Sequence, residues 1–453
     1  AFWFWSSNVS PRQGAQNLPF FSPTMARSSL FLAAVTLACL IIFIEAAGFD
    51  KTNGKGVVLP LGARQTNKIT RLGTTGPIVP MQGNLTFWAE FFVQIGLGTP
   101  PQYMMVDIDT GSTDLIVYTP GCSGCPSKPY KSYNPGASSS GNQVWCSTST
   151  YNCNSNNCFS SMDPCTWEDD YSGGSDMQGD VYKDVITIGG VTTQGMIAFG
   201  GITSASFPPG QPFQPDGISG LAGMAFQPLS GFGASNWFDQ FVFDYSWYDG
   251  FSLCLNTQNN QNGGVLSLGV DYSKDSRFKF TPLTQEEWWN IQLNDIKLGG
   301  KSLGLTSYDY NNEGVIVDSG TTLMIVTNQI MKVMTTYFKS FCGSTPLVGI
   351  CGATPGKSIF DGYCFSMTPF QVASYPSLTL NIPGWGEVTW ESSYYLWQGA
   401  GIPGMYCMGI QALAPGSDTG VIIGDVLMQK YHMFFDRNND QIGMAAKSTC
   451  PKA

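Results

Sequence analysis

Histidine is almost absent from this sequence, and charged residues of either sign are few. The 453 residues include a single histidine, His432, and only 12% of them are charged. A serine or cysteine hydrolase that relies on a histidine base would have to use His432. This residue lies in the apolar segment YHMFFD, which predicts a core strand and favours a structural role. A serine or cysteine hydrolase is therefore disfavoured.

Basic residues are scarcer than acidic ones. The chain has 22 Lys and Arg against 32 Asp and Glu, which gives a net charge of −10 and a pI of about 4.6. Nucleic acid is an unfavourable partner for such a chain, because phosphates are bound by clusters of Lys and Arg. Few groups gain a charge as the pH falls towards 4, while many carboxylates become neutral. The composition is thus compatible with work in acid.

Long hydrophobic runs are limited to one, at residues 30–44. It follows Met25 and Arg27 and precedes small residues at 46–48, which is the pattern of a secretory signal peptide. Its 15 residues are few for a membrane span. We predict a signal peptide at 25–47 and a soluble product, either extracellular or in an acidic vacuole or lysosome. An uncleaved membrane anchor is the alternative.

Twelve cysteines remain outside the signal segment, six between residues 122 and 165 and six between 254 and 450. An even number in a secreted chain predicts disulfides. The sequence CSGC at 122–125 could form a redox or zinc site, but structural bridging is favoured in an oxidising compartment. No metal site is therefore predicted. Asn84 begins the glycosylation sequon Asn-Leu-Thr.

The pattern of the chain is that of a mostly-β protein. Helical periodicity is limited to 235–243 and 327–341, and from the length we expect two lobes or domains. Strand-like segments with period-2 alternation, bounded by Gly, Pro or Asn, recur throughout. They are EFFVQIGLG, DVYKDVITIGG, GGVLSLGV, FKFTPL, WNIQLNDIKLGG and VTWESSYYLW.

A weak internal repeat divides the chain into two related halves. VDIDTGSTDLIV at 106–117 is echoed by VIVDSGTTLMIV at 315–326. Downstream, DGISGLAG around Gly220 is echoed by GVIIGDVL around Gly424, at a nearly equal offset. Two motifs that repeat in the same order predict two related lobes.

Each half of the repeat contains an Asp-Thr/Ser-Gly loop, with the acids at Asp109 and Asp318. Glycine permits a sharp turn, and hydroxyl groups can orient a carboxylate and stabilise its charge. Two such loops facing each other would bring together two carboxyl groups that share one proton in acid. One group could activate water while the other protonates a carbonyl oxygen, which is amide hydrolysis without a metal.

The alternative for each acid is that it merely caps a turn. A third copy, at Asp418, shows that the tripeptide alone is weak evidence. It precedes a strand instead of ending one and lacks the hydroxyl pair, so we predict that Asp418 is a surface turn residue. The repeat favours chemistry over turn capping for Asp109 and Asp318.

Three further segments carry a family resemblance. They are VQIGLGTPPQ at 93–102, YSGGSDMQG at 171–179 and VIIGDVLMQKYHMFFDRNNDQIGMA at 421–445. With the two Asp loops, they resemble the pepsin-like aspartic proteases from about residue 85 to the end. The resemblance implies a bilobal fold of two β-barrel-like lobes, at 85–272 and 273–453, with an active-site cleft between them. It also implies polypeptide substrates, a monomer and no cofactor.

The segment at 48–84 then corresponds to a propeptide. It contains the basic stretch VVLPLGARQTNKITR, similar to the pro-segments of zymogens. A cationic segment over an acidic cleft would be held at neutral pH and released when carboxylates take up protons. An ordinary N-terminal extension is the alternative.

The resemblance assigns roles to individual residues. It makes Asp109 and Asp318 the catalytic dyad, Ser112 and Thr321 the hydroxyls that bond their outer oxygens, and Tyr171 the residue that closes over substrate. The implied disulfides are Cys254–Cys450 and Cys364–Cys407. The implied substrate-binding residues are Asp107, Gly111, Tyr171, Gly173, Gly174, Gly320 and Thr322.

The sequence departs from the family pattern in three places. Ile116 stands where the family usually has a tryptophan. In the family, the indole of this tryptophan bonds the tyrosine of the flap, the segment that closes over substrate and corresponds to 171–179 here. The resting position of Tyr171 is therefore in doubt. Six cysteines crowd residues 122–165, similar to the plant nepenthesin-like branch. Asp107 occupies a usually aliphatic position in the pocket for the residue before the scissile bond.

Two interpretations of Asp107 remain open. Some fungal members of the family have an acid at this position and accept lysine, although Gly173 replaces the second acid of their flap. Alternatively, Asp107 accepts hydrogen bonds from neighbouring hydroxyls or water. For the whole chain, the alternative to an acid endopeptidase is a catalytically inactive pepsin-like binding or inhibitor protein.

Overall fold

The computed structural model describes residues 75–85, 90–125, 131–146, 151–153, 158–171, 175–207, 218–256, 262–398, 402, 404–413 and 420–452. The predicted signal peptide and most of the predicted propeptide lie outside these residues, as do Gly173, Gly174, Asp418 and the side chain of Asn84. Within the described ranges, no helix has both the length and the apolar character needed to cross a membrane.

Most of the regular structure is β, which confirms the predicted class. The strands of the first half are β1 (Ile78–Asn84), β2 (Glu90–Leu97), β3 (Gln102–Asp109), β4 (Leu115–Ser123), β5 (Asn142–Gln143), β6 (Thr166–Tyr171), β7 (Ser175–Asp184), β8 (Ile186–Ile188), β9 (Val191–Thr192), β10 (Ile197–Ser206), β11 (Ile218–Gly223), β12 (Gly250–Leu255) and β13 (Asn262–Leu268).

The second half adds shorter strands and most of the helices. Its strands are β14 (Lys279–Pro282), β15 (Gln285–Glu286), β16 (Trp289–Asn290), β17 (Asp295–Leu298), β18 (Lys301–Ser302), β19 (Val315–Val317), β20 (Met324–Val326), β21 (Phe365–Ser366), β22 (Leu378–Ile382), β23 (Gly386–Trp390), β24 (Leu396–Trp397), β25 (Met405–Met408), β26 (Ile410–Ala412), β27 (Val421–Ile423), β28 (Tyr431–Asp436) and β29 (Gln441–Ala446). The helices of the described chain are α1 (Trp237–Tyr245), α2 (Ser307–Asn311), α3 (Asn328–Ser340), α4 (Pro369–Ala373), α5 (Ser392–Tyr395) and α6 (Asp425–Met428).

Both helices expected from periodicity are confirmed, and each begins at a side-chain cap. The carboxamide of Asn236 accepts a hydrogen bond from the backbone of α1, and the hydroxyl of Thr327 does the same for α3. These caps satisfy amide groups that have no partner within the helix. The apolar face of α3 is buried, and its residues recur at helical spacing: Ile330, Met331, Met334 and Phe338.

One predicted strand is wrong. VTWESSYYLW forms β23, one turn of helix α5, and the short strand β24. The hydroxyl of Ser392 donates to the carbonyl of Val372 at 2.6 Å, and that of Tyr395 donates to the carbonyl of Pro376. These tertiary bonds to distant backbone fix the turn, and alternation within the sequence does not reveal them.

The largest sheet runs in the order β14-β29-β28-β12-β13-β1-β2-β3-β11-β4-β10-β7-β5 and joins the two ends of the chain. Strand β1 pairs antiparallel with both β13 and β2, and its residues Val79 and Met81 are buried. This strand falls inside the segment that the sequence assigned to the propeptide. A cut after residue 84 would therefore remove an inner strand of the sheet.

The internal repeat is visible in the topology. Strand β11 is parallel to β3 and antiparallel to β4, and β27 has the same relation to β19 and β20. Gly223 is paired with Asp109, while Ile423 is paired with Val317, so Gly424 lies beside Asp318. The counterpart of Gly424 is thus Gly223, and the sequence pairing with Gly220 was wrong by three residues. The segment ISGLAG contains both Gly220 and Gly223, and its apolar pattern does not indicate which of them corresponds to Gly424.

An aromatic core connects the halves beneath the repeat loops. The indole of Trp289 donates to the carbonyl of Met224 at 3.1 Å, and Met224 donates its own amide to the carbonyl of Asp109 at 2.7 Å. The ring of Phe226 lies 4.8 Å from that of Trp289. The position of the first Asp loop therefore depends directly on residues of the second half.

Disulfides join every cysteine of the described residues. Both pairs implied by the resemblance are present, Cys254–Cys450 and Cys364–Cys407. The first spans 196 residues of sequence and fastens the C-terminus to β12, which strongly restricts the unfolded chain. The remaining bridges are Cys122–Cys125, Cys146–Cys158, Cys153–Cys165 and Cys342–Cys351.

Candidate active site

Asp109 and Asp318 face each other across a narrow gap. Asp109 ends β3, and Asp318 directly follows β19. A Cβ atom added to Gly111 would lie 2.6 Å from Cγ of Asp318, and one added to Gly320 would lie 2.3 Å from Oδ1 of Asp109. Each loop glycine thus touches the carboxyl group of the opposite loop. Only glycine permits this approach.

Four buried hydrogen bonds lock the two loops together. The hydroxyl of Thr110 donates to the carbonyl of Val317 at 3.0 Å and accepts the amide of Ser319 at 2.8 Å. The hydroxyl of Ser319 donates to the carbonyl of Ile108 at 2.6 Å and accepts the amide of Thr110 at 3.2 Å. This arrangement has two-fold symmetry, and because it is buried, neither loop can shift alone.

Each carboxyl group receives the same two bonds from its own loop. The amide two residues further on donates to one oxygen, and the hydroxyl three residues further on donates to the other. The bonds are Gly111 N to Asp109 Oδ1 (2.7 Å), Ser112 Oγ to Asp109 Oδ2 (2.5 Å), Gly320 N to Asp318 Oδ1 (2.8 Å) and Thr321 Oγ1 to Asp318 Oδ2 (2.6 Å). The carboxyl planes are therefore fixed, and Ser112 and Thr321 lie where the resemblance implies.

The pair of carboxyl groups is shielded from water. Asp109 is 6% exposed and Asp318 is 7% exposed. The pKa of Asp318 is raised to about 8, first by burial and then by the negative charge of Asp109, against the hydrogen bonds from Thr321 and Gly320. Two acids this close titrate as one unit. A pair that shares one proton in this way can act as base and acid together.

Tyr171 lies at the end of β6, in the hairpin formed with β7. It packs on a small apolar cluster that includes Ile116, Tyr118 and Trp167. Burial raises its pKa well above the ordinary value, and the charges of Asp169 and Asp109 act in the same direction. The phenol is therefore neutral and close to the dyad. Ile116 is fully buried and offers this phenol an apolar contact without a hydrogen bond.

Asp107 lies on β3 two residues before Asp109, on the same face of the strand. It is 3% exposed, and its Oδ1 has no hydrogen-bond partner among the described residues. Burial raises its pKa well above the ordinary value, and the charges of Glu90 and Asp109 raise it further. Thr322, another predicted substrate-binding residue, is buried, and its carbonyl accepts the amide of Val426 at 2.9 Å.

Three buried acids near the site were missed by the sequence. Glu90, at the start of β2, is 7% exposed, and Asp425, at the start of α6, is 1% exposed. Both carboxyl oxygens of Asp425 lack a hydrogen-bond partner among the described residues. Asp114 accepts hydrogen bonds from Ser230 and Gly231, and burial raises its pKa to about 7. Their only signal in the sequence is an acid within an apolar segment.

His432 lies outside this site. It is fully buried in β28, and its ring nitrogens are each 2.9 Å from a hydroxyl oxygen, Ser252 Oγ and Thr449 Oγ1. Burial lowers its pKa to about 4. Both ring partners in the described part of the chain are hydroxyl groups, and these contacts agree with the predicted structural role.

Comparisons with known proteins match the same part of the chain. A family model described as eukaryotic aspartyl protease matches residues 90–447. Cathepsin E of Aquarana catesbeiana is 26% identical over 403 residues, which cover 86% of this chain and 88% of that protein. Pepsin A of Rhinolophus ferrumequinum is 28% identical over 367 residues, and gastricsin of Callithrix jacchus is 29% identical over 366. Each of these two matches covers 79% of this chain and 81% of the relative.

We predict that Gly111→Ala separates the two loops. Its Cβ would lie within 2.7 Å of three atoms of the Asp318 carboxyl group, so the loops must move apart. The expected loss in free energy of unfolding is about 1–3 kcal/mol, measured by denaturant titration. Gly343→Ala is the matched control, because nothing lies within 4 Å of its added Cβ. Equal stability of the two variants would contradict the tight contact between the loops.

Proposed function

The chain belongs to the eukaryotic aspartyl protease family and is an aspartic-type endopeptidase, and we propose that it works in acid after secretion as a zymogen. The family match and the mostly-β architecture confirm the predicted bilobal, pepsin-like fold. The observation that carries the proposal is the contact of two buried, hydrogen-bonded carboxyl groups on symmetric loops.

In the proposed mechanism, Asp109 and Asp318 share the catalytic work. The ionised member removes a proton from a water molecule, which attacks the peptide carbonyl carbon. The protonated member gives its proton to the carbonyl oxygen, and a tetrahedral diol forms. The diol then collapses. The C–N bond breaks as the protonated carboxyl group gives its proton to the leaving amine, and the ionised group takes a proton from a diol hydroxyl as the new carboxyl product forms. The pair thereby returns to its singly protonated state. The loop bonds from Ser112 and Thr321 hold both carboxyl planes in position throughout.

The alternative, an inactive pepsin-like binding protein, is less well supported. Loss of catalysis would be expected to leave one loop incomplete. Here both loops retain the acid, the glycine and the hydroxyl, and their hydrogen bonds match one for one. We therefore propose polypeptides as substrates, bound by a monomer in the cleft between the lobes. Tyr171, Gly173 and Gly174 would cover the substrate from the flap.

We expect Asp109→Asn and Asp318→Asn each to lower kcat by about 10²–10⁴-fold, because each catalytic role requires its own carboxyl group. The measurement is cleavage of a peptide at pH 3–5, with thermal unfolding as the check on folding. Asp418→Asn, in the third Asp-Thr-Gly, is the matched control and should retain full activity. Substantial cleavage by both dyad variants would refute the mechanism.

The zymogen proposal concerns residues 48–77. Their basic stretch would be attracted to ionised carboxylates at neutral pH and released when those groups are protonated. Strand β1 belongs to the central sheet, with two paired neighbours. Because its removal would break the sheet, we place the processing site before Ile78 and not at residue 84. The product would be extracellular or in an acidic vacuole or lysosome.

Acidification of the precursor is expected to yield an active form whose first residue precedes Ile78. N-terminal sequencing of the acid-treated protein, sampled alongside activity, measures this. An active product that begins after Asn84 would show that β1 is dispensable. A fully active species that keeps the whole of 48–84 would contradict the zymogen proposal.

Asp107 is the proposed specificity residue. It shares its strand face with Asp109, and its buried Oδ1 has no partner among the described residues. A lysine ammonium group in the adjacent pocket would supply the missing donor, and its positive charge would favour ionisation of Asp107. In such a desolvated site the pair is worth more than the roughly 0–1 kcal/mol of a surface salt bridge.

Asp107→Ile is therefore expected to lower the preference for lysine before the scissile bond. The ratio of kcat/KM for a lysine peptide to that for its norleucine analogue should fall about tenfold, which corresponds to about 1.4 kcal/mol. The norleucine side chain is the control, since it keeps similar length without charge. A proportional loss on both peptides would leave Asp107 with a structural role only.

A further inference from the structure

Glu90 lies in the same row of side chains as Asp107 and Asp109. Strands β2 and β3 are antiparallel, and Phe92 is paired with Asp107. Paired residues share a face, and so do residues two apart on one strand. Glu90, two residues before Phe92, therefore lies on that face at the level of Asp109. Neighbours at this spacing are separated by about 5–7 Å.

Acids also approach this row from the second half of the chain. Asp318 follows β19, and Asp425 begins α6, where its amide donates to the carbonyl of Thr321 at 2.9 Å. Burial raises the pKa of Asp425, and negative charge on Asp107 and on Asp318 raises it further. The three carboxyl groups are therefore close enough to interact electrostatically. Strand β11 places only the apolar Leu221 opposite Asp107. All five acids of the cluster are 7% exposed or less: Glu90, Asp107, Asp109, Asp318 and Asp425.

The close packing of these buried acids affects how readily Asp109 and Asp318 lose the proton that they share. Negative charge on a buried neighbour makes loss of that proton less favourable, and the low dielectric of a buried site strengthens the effect. Burial raises the pKa of Glu90 to about 7, while that of Asp318 is raised to about 8. Glu90 lies opposite Asp109 in this row, so a negative charge on Glu90 would oppose loss of the dyad's last proton.

We propose that Glu90 is a positioning residue that keeps the dyad singly protonated up to a higher pH than the two Asp loops would alone. Glu90 neither donates nor accepts the reacting proton and acts through its charge on Asp109 and Asp318. The consequence is an active range that extends from acid towards neutral pH. This inference rests on the proposed function, since it concerns the proton used in peptide hydrolysis.

The test is the pH profile of kcat/KM between pH 3 and 8, with a peptide that has phenylalanine on both sides of the cut. Glu90→Gln removes one charge at nearly constant volume. It is expected to move the basic limb to lower pH by about 0.5–1 unit. A residue with only a structural role would lower kcat/KM in equal proportion at every pH.

Asp180→Asn is the matched control. Burial also raises the pKa of Asp180, but this carboxyl group accepts hydrogen bonds from Gln143 and Tyr182, and neither acid of the dyad contributes to its shift. Its basic limb should coincide with that of the wild type. An unshifted limb in Glu90→Gln overturns the inference, whereas a wild-type protein that cleaves no peptide at any pH overturns the proposed function instead.

Thermal unfolding at pH 5 identifies variants that do not fold. For a variant that does not fold, the test is an NMR titration of the wild-type protein with ¹³C-labelled carboxyl groups. Glu90 is expected to lose its proton at or below the midpoint of the basic limb. If Glu90 retains its proton beyond the end of that limb, it carries no charge when the dyad titrates, and the inference is refuted.

Discussion

The structure depends on the hydrogen bonds that Thr110 and Ser319 exchange between the two Asp loops. These residues are 209 positions apart in sequence, yet each hydroxyl both donates to and accepts from the backbone of the other loop. This contact between the loops also depends on the loop glycines, on the aromatic contact through Trp289 and on the parallel strands β11 and β27. A small displacement would separate the carboxyl groups, so the halves must pack as one core.

Bringing two acids together has an electrostatic cost, and the fold adds to it. Glu90, Asp107 and Asp425 are buried beside the dyad, and burial raises the pKa of each. In acid these groups are neutral, and their desolvation costs little. As the pH rises through their raised pKa values, ionisation is opposed in the folded state and stability falls. The scarcity of basic residues in the sequence agrees with this, since protonated acids need no cationic partners.

The features that recur in both halves of the chain could be predicted from the sequence, whereas features that occur only once were missed. The paired Asp loops identified Asp109 and Asp318, because their spacing recurs with the flanking strands. Register within an apolar segment was not predictable, and Gly220 was chosen where Gly223 belongs. The turn at Ser392 and the acids Glu90 and Asp425 depend on contacts between distant segments, for which no local pattern exists. The same holds for β1, whose pairing with β13 is not visible in its seven residues.

Tyr171 shows how the fold accommodates a change in the family pattern. An indole at position 116 would bond the phenol and fix its direction; Ile116 supplies only an apolar surface. The phenol instead lies within a cluster of buried rings and strands, close to Tyr118 and to the acids Asp109, Asp114 and Asp169. Packing restricts its translation, but a single hydrogen bond no longer selects one rotamer. The described part of the hairpin is held through the apolar side of β6, where the indole of Trp167 lies against Gly200.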